Sequence, residues 1–315
     1  MHQKVVALGG GHGLAAVLTS LRKVTPEITA IVTVADNGGS SGRLREEYPI
    51  LPPGDLRMAL AALCADDEWG REWARIMQHR FTGEGPLKGH AVGNLLLAAL
   101  WDRDADPVVG LDRVGSLLKV IGRVLPMASE PLDIEGTFAT SMGSEIVRGQ
   151  AEVAIAQGKL ESLRIIPNDP PARSEALAAI AAANWITMGP GSWFSSVLPH
   201  LLVPMQRQAL SESRARKIII LNLDATPELQ GHEFAGNSPE EHLALISEYA
   251  PDLRIDFVLA DNSLVKNEAS LVRQVEKMGG KLLAADLRQG RGSVHHNVDK
   301  LALHFGHIMT NSLVG

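Results

Sequence analysis

A chain of 315 residues, 45% hydrophobic and 21% charged, has the balance of a globular protein and the length for one large or two modest domains. A formal net charge of −6 with no basic run argues against nucleic acid as the main partner, while leaving room for a local anion site. The single cysteine, Cys64, excludes an internal disulfide, no apolar run reaches the ~18 residues of a membrane span, and Met1-His2-Gln3-Lys4 carries no signal-peptide pattern, so a cytoplasmic protein is expected.

Val5 to Gly13 reads as a buried strand, a glycine-rich turn (Gly9, Gly10, Gly11, His12, Gly13) and the start of a helix running from Leu14 to about Lys23. That geometry brings a phosphate to backbone N–H groups at a helix N-terminus, although the glycine spacing departs from the dinucleotide fingerprint. Ile28 to Ala35 is nearly continuously apolar and β-branched, as a parallel strand covered on both faces should be. It feeds a second loop, Asp36-Asn37-Gly38-Gly39-Ser40-Ser41-Gly42-Arg43, at the carboxyl end of a strand, where open α/β sheets place ligands. Ser40, Ser41 and Arg43 offer hydroxyls and a forked donor suited to phosphate, and Asp36 offers an acceptor for a ribose hydroxyl or a metal ion.

Pro52-Pro53-Gly54 turns into a helix from Asp55 to about Cys64, with Asp55 read either as its N-cap or as a second carboxylate aimed at the same crevice. Asp36 and Asp55 together would suit Mg²⁺, which prefers oxygen ligands and keeps several waters. Asp66-Asp67-Glu68 reads as solvated surface and Trp69 to Phe81 as an amphipathic helix. A helix from about Val92 is apolar nearly all round, with His90 and Asn94 at its mouth, either capping it or facing the crevice. A further amphipathic helix is predicted from Leu111 to Arg123.

Short alternating runs and glycine turns between about 130 and 166 predict a small antiparallel β-hairpin insertion. An Ala-rich helix, Ser174 to Ala183, leads back to a strand, Trp185–Met188, and a third unusual loop, Gly189-Pro190-Gly191-Ser192-Trp193-Phe194. This loop reads as an anion nest or as a closure over a ligand with its two aromatic rings, before a helix over 197–202 that Pro204 stops. Three more strands follow, Lys217–Leu223 with Asn222 at its end, Asp256–Asn262 and Lys281–Asp286; a helix opens with a capping pattern at Asn237-Ser238, and another spans about 298–310. His295-His296 are adjacent and point apart, which disfavours zinc. Polar or glycine-rich residues thus recur after strands at Gly9, Asp36, Gly189, Asn222 and Asp261, which predicts a Rossmann-like, doubly wound, mainly parallel α/β sheet with one continuous crevice along one edge.

The ordered blocks GGGHGL, VTVADNGGSSGRLR, LPPGDLRMAL, GHAVGNLLLAALW, GRVLPM and GPGSWFSSVLPHLLVP resemble the gluconeogenesis factor (YvcK-type) family of the CofD-like superfamily, and the wording of GHG and QHRF is similar to its actinobacterial branch. The resemblance implies a single CofD-like nucleotide-binding domain over 1–315, with a UDP-sugar or NAD(P) as ligand. It also implies a role in cell shape and wall synthesis when growth depends on gluconeogenic carbon. No reaction is attached to that branch; the related 2-phospho-L-lactate transferases use Mg²⁺ and a nucleotide-activated donor, and their metal aspartates would fall on Asp36 and Asp55. By the same resemblance Gly9 to Gly13, Asp36, Asn37, Gly39, Ser40, Ser41, Arg43, His90, Asn94, Gly189, Gly191, Ser192 and Asn222 line the nucleotide site. Three positions depart from the family's wording: His12 stands for a threonine, Asn37 for a second aspartate, and His295-His296-Asn297 for Arg-His-Asp. A homo-oligomer is the default expectation.

Overall fold

The structure is a computed structural model that describes residues 2–104, 106–223, 238–265 and 268–311. The first half of the chain runs β1 (Val5–Gly9), α1 (Gly11–Leu21), β2 (Ile28–Val32), α2 (Gly39–Glu47), α3 (Pro53–Leu63), α4 (Glu68–Gln78), α5 (Val92–Arg103), α6 (Pro107–Leu118) and β3 (Arg123–Pro126). An antiparallel module follows, with β4 (Asp133–Thr140), β5 (Gly143–Arg148), α7 (Gln150–Ile155) and β6 (Lys159–Ile166). The second half runs α8 (Ser174–Ala182), β7 (Trp185–Met188), a π-helical turn (Trp193–Val197), α9 (Pro199–Leu202), α10 (Pro204–Glu212), β8 (Arg216–Ile220), α11 (Pro239–Tyr249), β9 (Phe257–Asp261), α12 (Glu268–Lys277), β10 (Lys281–Ala285) and α13 (Val298–Asn311).

Among the described residues seven strands form one parallel sheet in the order β10-β9-β8-β7-β1-β2-β3. The apolar runs predicted as strands are buried on both faces, because helices cover the sheet on either side: β1, β7 and most of β8 and β9 have no exposed residue. From β1 the chain winds outward one way through β2 and β3, then returns to β7 on the other flank and winds outward through β8, β9 and β10. The direction reverses between β1 and β7, and a crevice opens at such a switch point, outside the carboxyl ends of the strands. A second sheet, β5-β4-β6, is antiparallel as predicted for 130–166, but α7 interrupts it between β5 and β6. It is anchored to the main body by the Leu163 N–H, which donates to Tyr249 Oη at 2.7 Å, and by Phe138, edge-on to Phe194 at 6.3 Å.

Several boundaries differ from the sequence reading. The helix predicted over 111–123 ends at Leu118, where Lys119 adopts a left-handed conformation, and Arg123 begins a strand instead. This strand sits at the edge of the sheet, pairs only with β2 and is four residues long, too short to show a period. The helix predicted to stop before Pro204 does end at Leu202, and Pro204 opens the first turn of the next helix, α10, where its missing N–H costs nothing. Gly39 to Gly42, read as loop, form the first turn of α2, and Gly11 to Gly13 that of α1. Asn237, read as the start of a helix, lies outside the described residues; Ser238 caps α11, with Glu241 completing a capping box.

Candidate functional site

Three segments meet at the switch point. Gly10 lies against Asp55, Thr33 and Ser196, so a Cβ there would fall 2.6 Å from Thr33 Cγ2 and closer still to the Asp55 carboxylate. Gly13 packs on the backbone of Pro190 and Gly191, with no room for a methyl group. These two glycines are required by close approach of the first loop to the third, which packs Gly10 and Gly13 directly on Pro190, Gly191 and Ser196. His12 is exposed in the first turn of α1.

Asp55 is not the N-cap of α3. Pro52 holds that position, and Asp55 lies in the first turn with its carboxylate accepting the Gly11 N–H of α1. Burial first, then the negative Asp36, push its pKa from 3.8 up to about 7, against the Gly11 N–H and Arg57, which pull it down. Asp36 is half-buried, and its Oδ1 accepts the Gly38 N–H at 2.9 Å. Its Oδ2 and Ser41 Oγ both border Gly54, whose N–H donates to Ser41 Oγ at 3.0 Å. The donor set is thus two mutually repelling carboxylates and a neighbouring hydroxyl, all oxygen. This fits Mg²⁺ with retained waters, and Asp36 and Asp55 are the residues that would hold it. Among the described residues no three His, Cys, Asp or Glu side chains converge as a metal cluster.

Ser40, His90 and Asn94 are buried together at the start of α2 and α5. Asn94 Nδ2 donates to Ser40 Oγ at 3.0 Å, so the serine proton is left to donate to His90 Nδ1 at 2.9 Å. The His90 imidazole then carries its own proton on Nε2. Its pKa is lowered, chiefly by burial and then by Arg43, which keeps the ring neutral. Asn94 Oδ1 and Thr33 Oγ1 are both buried without a hydrogen-bond partner, which marks this wall as incomplete without a donor from elsewhere.

Other predicted residues brace the site. Arg43 donates to the carbonyls of Pro86 (3.3 Å) and Lys88 (2.7 Å), so its fork holds the 86–89 loop; Gly39 starts α2 in a left-handed conformation. Asn37 Oδ1 accepts the Gln150 N–H of α7 at 3.0 Å. Asn222 clamps Gly191 from both sides, accepting its N–H at 2.7 Å and donating to its carbonyl at 2.6 Å. Ser192 Oγ caps the π-helical turn, accepting the Ser195 N–H at 3.0 Å. Trp193 and Phe194 do not close over the crevice. Both rings point inward and are buried, Trp193 stacking on His242 at 5.2 Å.

Three residues were not legible as part of the site. Gln150 reaches from the antiparallel module to donate to Ser195 Oγ at 3.0 Å. His200 is wholly buried beneath the first loop: Gln206 Nε2 donates to its Nδ1 at 2.7 Å, and its Nε2–H points at the Gly9 carbonyl at 3.4 Å. Burial lowers the His200 pKa to about 4, so it braces the loop as a neutral ring. Arg57, 3% exposed, lies under α5. The signal for Arg57 was its place two residues after Asp55; nothing local marked Gln150 or His200.

The fold defines a doubly wound α/β protein, with the three loops described above meeting at the switch point. The chain belongs to the CofD family, whose model, described as 2-phospho-L-lactate transferase CofD, matches residues 5–300. A relative in Mycobacterium tuberculosis (strain ATCC 25618 / H37Rv) is 47% identical over 309 residues, spanning 96% of this chain and 89% of its own. A protein of Halalkalibacterium halodurans named gluconeogenesis factor is 37% identical over 275 residues, 87% of this chain and 82% of its own. A crystal structure of a Bacillus halodurans protein superposes with a TM-score of 0.84 at 33% identity, covering 96% of this chain and 99% of that one. Among the described residues no helix is long and apolar enough to cross a membrane.

Proposed function

We propose that this chain binds a nucleotide diphosphate, as a UDP-sugar or NAD(P), in the crevice at the switch point, and that binding rather than turnover is its main task. The observation that carries the reading is the close packing of Gly10 and Gly13 against Asp55, Ser196 and the Pro190–Gly191 backbone. This packing joins the first turn of α1 to the first turn of α3 and to the third loop. Helix first turns with open N–H groups suit phosphate oxygens. Gly10 to Gly13 would take the diphosphate, Ser40 and Ser41 a phosphate oxygen, Asp36 a ribose or sugar hydroxyl, and Asn94 a donor of the ligand. The relatives named gluconeogenesis factors support a setting of growth on gluconeogenic carbon, and in that setting the reading gives the protein a part in cell shape and wall synthesis.

A second reading, a Mg²⁺-dependent transferase using a nucleotide-activated donor, is favoured by the Asp36–Asp55 pair and by the family's description. When bound, Mg²⁺ supplies charge neutralisation on the diphosphate. This chain's own residues would orient the donor through the glycine loops, and His90, accepting the Ser40 hydroxyl at Nδ1, would orient that hydroxyl and carry its own proton at Nε2.

Calorimetric titration with UDP-N-acetylglucosamine, NADP⁺ and GDP, each with and without Mg²⁺, tests both. Saturable UDP-sugar or NADP⁺ binding without turnover is the expected result. Binding that strictly needs Mg²⁺ and is lost in Asp55→Asn moves the case to the transferase. No binding by any of the three overturns both.

A further inference from the structure

Arg57 is an unusual residue to find where it is. It is 3% exposed, and among the described residues it makes one hydrogen bond, from Nη1 to the neutral Gln78 Oε1. Its Nε is buried without a partner and it forms no ion pair among the described residues. Gly93 at the start of α5 exists to let it through: a Cβ there would lie 2.8 Å from Arg57 Cγ. A buried guanidinium is costly unless it is paired with an anion.

Two more arginines stand around the same place. Arg80, just past α4, donates from Nη1 to the Gly89 carbonyl at 2.7 Å, and Arg43 of α2 donates to the Lys88 carbonyl at 2.7 Å. Both reach the short segment that precedes His90, and neither forms an ion pair with any described carboxylate. Several other half-buried arginines are matched by acids, Arg45 with Asp133, Arg173 with Asp106 and Glu175, Arg288 with Asp261, while Arg216 lies over the Trp185 ring and Arg207 donates to the Leu201 carbonyl. The charges act on one another as neighbours. Arg80 disfavours the charged form of Arg57, and Arg43 and Arg80 disfavour that of His90; Glu47 is the acid that acts on His90, and Asp36 and Asp55 act on Arg57. Arg57 follows Asp55 by two residues on α3, and His90 is hydrogen-bonded to Ser40 of α2, so the cluster adjoins the carboxylate pair at the second glycine loop.

We propose that Arg57, Arg80 and Arg43 form an oxyanion subsite around His90, built to take the carboxylate or phosphate of a small acidic ligand beside the Asp36–Asp55 pair. The arginine fork suits either oxyanion, and partial burial restricts the occupant to a small group rather than a polyanion. The subsite rests on the same crevice as the nucleotide reading, sharing Arg43 and His90 with it through Ser40, and adds Arg57 and Arg80, which that reading does not use.

The test follows the His90 imidazole by two-dimensional NMR during titration with inorganic phosphate, at ionic strength held constant with chloride. A saturable shift at His90 is expected, weakened at least about ten-fold in Arg57→Gln and in Arg80→Gln, as for the loss of a charge-assisted contact. Arg80 is exposed, so its variant keeps the test open if Arg57→Gln fails to fold. Competition by malonate identifies a subsite that accepts carboxylates; its failure to compete identifies one selective for phosphoryl groups. No saturable shift in the wild type, or an unchanged affinity in Arg80→Gln, overturns the proposal. Nucleotide titrations run in parallel separate the two ideas, because a protein that binds no nucleotide can still bind phosphate at His90, and the reverse.

Discussion

Asp36-Asn37 after β2 and Asp261-Asn262 at the end of β9 are the same dipeptide at the same edge of the sheet, on opposite sides of the switch point. Asp261 is enclosed by partners: it accepts the Leu287 N–H at 2.8 Å and the Ser263 N–H at 2.9 Å, and it pairs with Arg288. Burial works to raise its pKa, but the bonds from Ser263 and Leu287 and the Arg288 charge outweigh it and hold the carboxyl below its ordinary value. Arg288 in turn spends its remaining donors on Leu223, Ser263 and Ser293. Around Asp36 the balance runs the other way. The neighbouring acid, Asp55, is raised to about 7, and Thr33, Asn94 and Arg57 each keep a buried atom unpartnered. In the far half of the edge Asp261 is satisfied by its own neighbours, with His296 Nε2 the buried atom left unpartnered beside it, whereas the near half has Asp55 raised and three such atoms, an arrangement suited to something it does not itself contain.

The largest effect should come from breaking the satisfied half. Asp261→Ala leaves Arg288 nearly buried without its counter-charge, which should cost about 3–5 kcal/mol in urea unfolding. Because the folded-state pKa of Asp261 is lowered, its contribution is present above the ordinary carboxylate range and is lost as pH falls through the folded value. Ligand affinity of the folded fraction should not change. A loss of ligand binding at full folding would mean that the far half is part of the site, and the contrast would collapse.

The opposite sign is expected at Asp55. A carboxyl raised from 3.8 to about 7 holds a proton in the folded state that the unfolded chain has released, so stability should fall as pH rises across that window, by up to about 4 kcal/mol. Asp55→Asn keeps an acceptor for the Gly11 N–H and removes the charge. Thermal melts from pH 4 to 8 should show the wild type losing stability relative to the variant, with the variant equal or more stable at pH 8. Mg²⁺ should restore the wild type alone. Parallel pH profiles would show that Asp55 is not under stress.

A smaller effect tests the joint between the loops. Gly13→Ala places a methyl group against the Pro190 carbonyl, and both backbones must shift, at about 1–3 kcal/mol. Nucleotide affinity should fall by more than the melting temperature suggests, because the two loops separate before the core is disturbed. A variant that loses stability but binds nucleotide normally would place the ligand elsewhere.

Much of this was legible in the sequence, for reasons that differ by element. The buried strands Val5–Gly9, Ile28–Val32 and Phe257–Asp261 announce themselves because a sheet covered on both faces needs unbroken apolar runs. The meeting of the first and third loops was legible because glycine and polar residues recur just after those runs. What sequence could not give is direction. Nothing in Trp193-Phe194 says that both rings turn inward, and nothing in Arg43 says that its fork is spent on the 86–89 loop. β3 escaped because four residues show no period, and Gln150 because its role depends on a separate sheet docking 113 residues along the chain from Asn37.

The smallest effect is the one that most sharpens the contrast. Where family members carry a second aspartate, Asn37 accepts the Gln150 N–H through Oδ1, and its amide lies beside Gly149. Asn37→Asp keeps that acceptor and adds a charge next to Asp36. The added repulsion is offset in part by the N–H groups at the start of α7, so stability should change by under about 0.5 kcal/mol. At a cation held by Asp36 and Asp55, a further carboxylate nearby should raise Mg²⁺ affinity by up to about ten-fold, the order of one screened charge interaction. Calorimetry of Mg²⁺ binding to Asn37→Asp, with Asp55→Asn as the reference, reads this directly. Unchanged Mg²⁺ affinity would mean that the cation does not sit at the carboxylate pair, and the stress at Asp55 would then have to be relieved by the ligand's own donors.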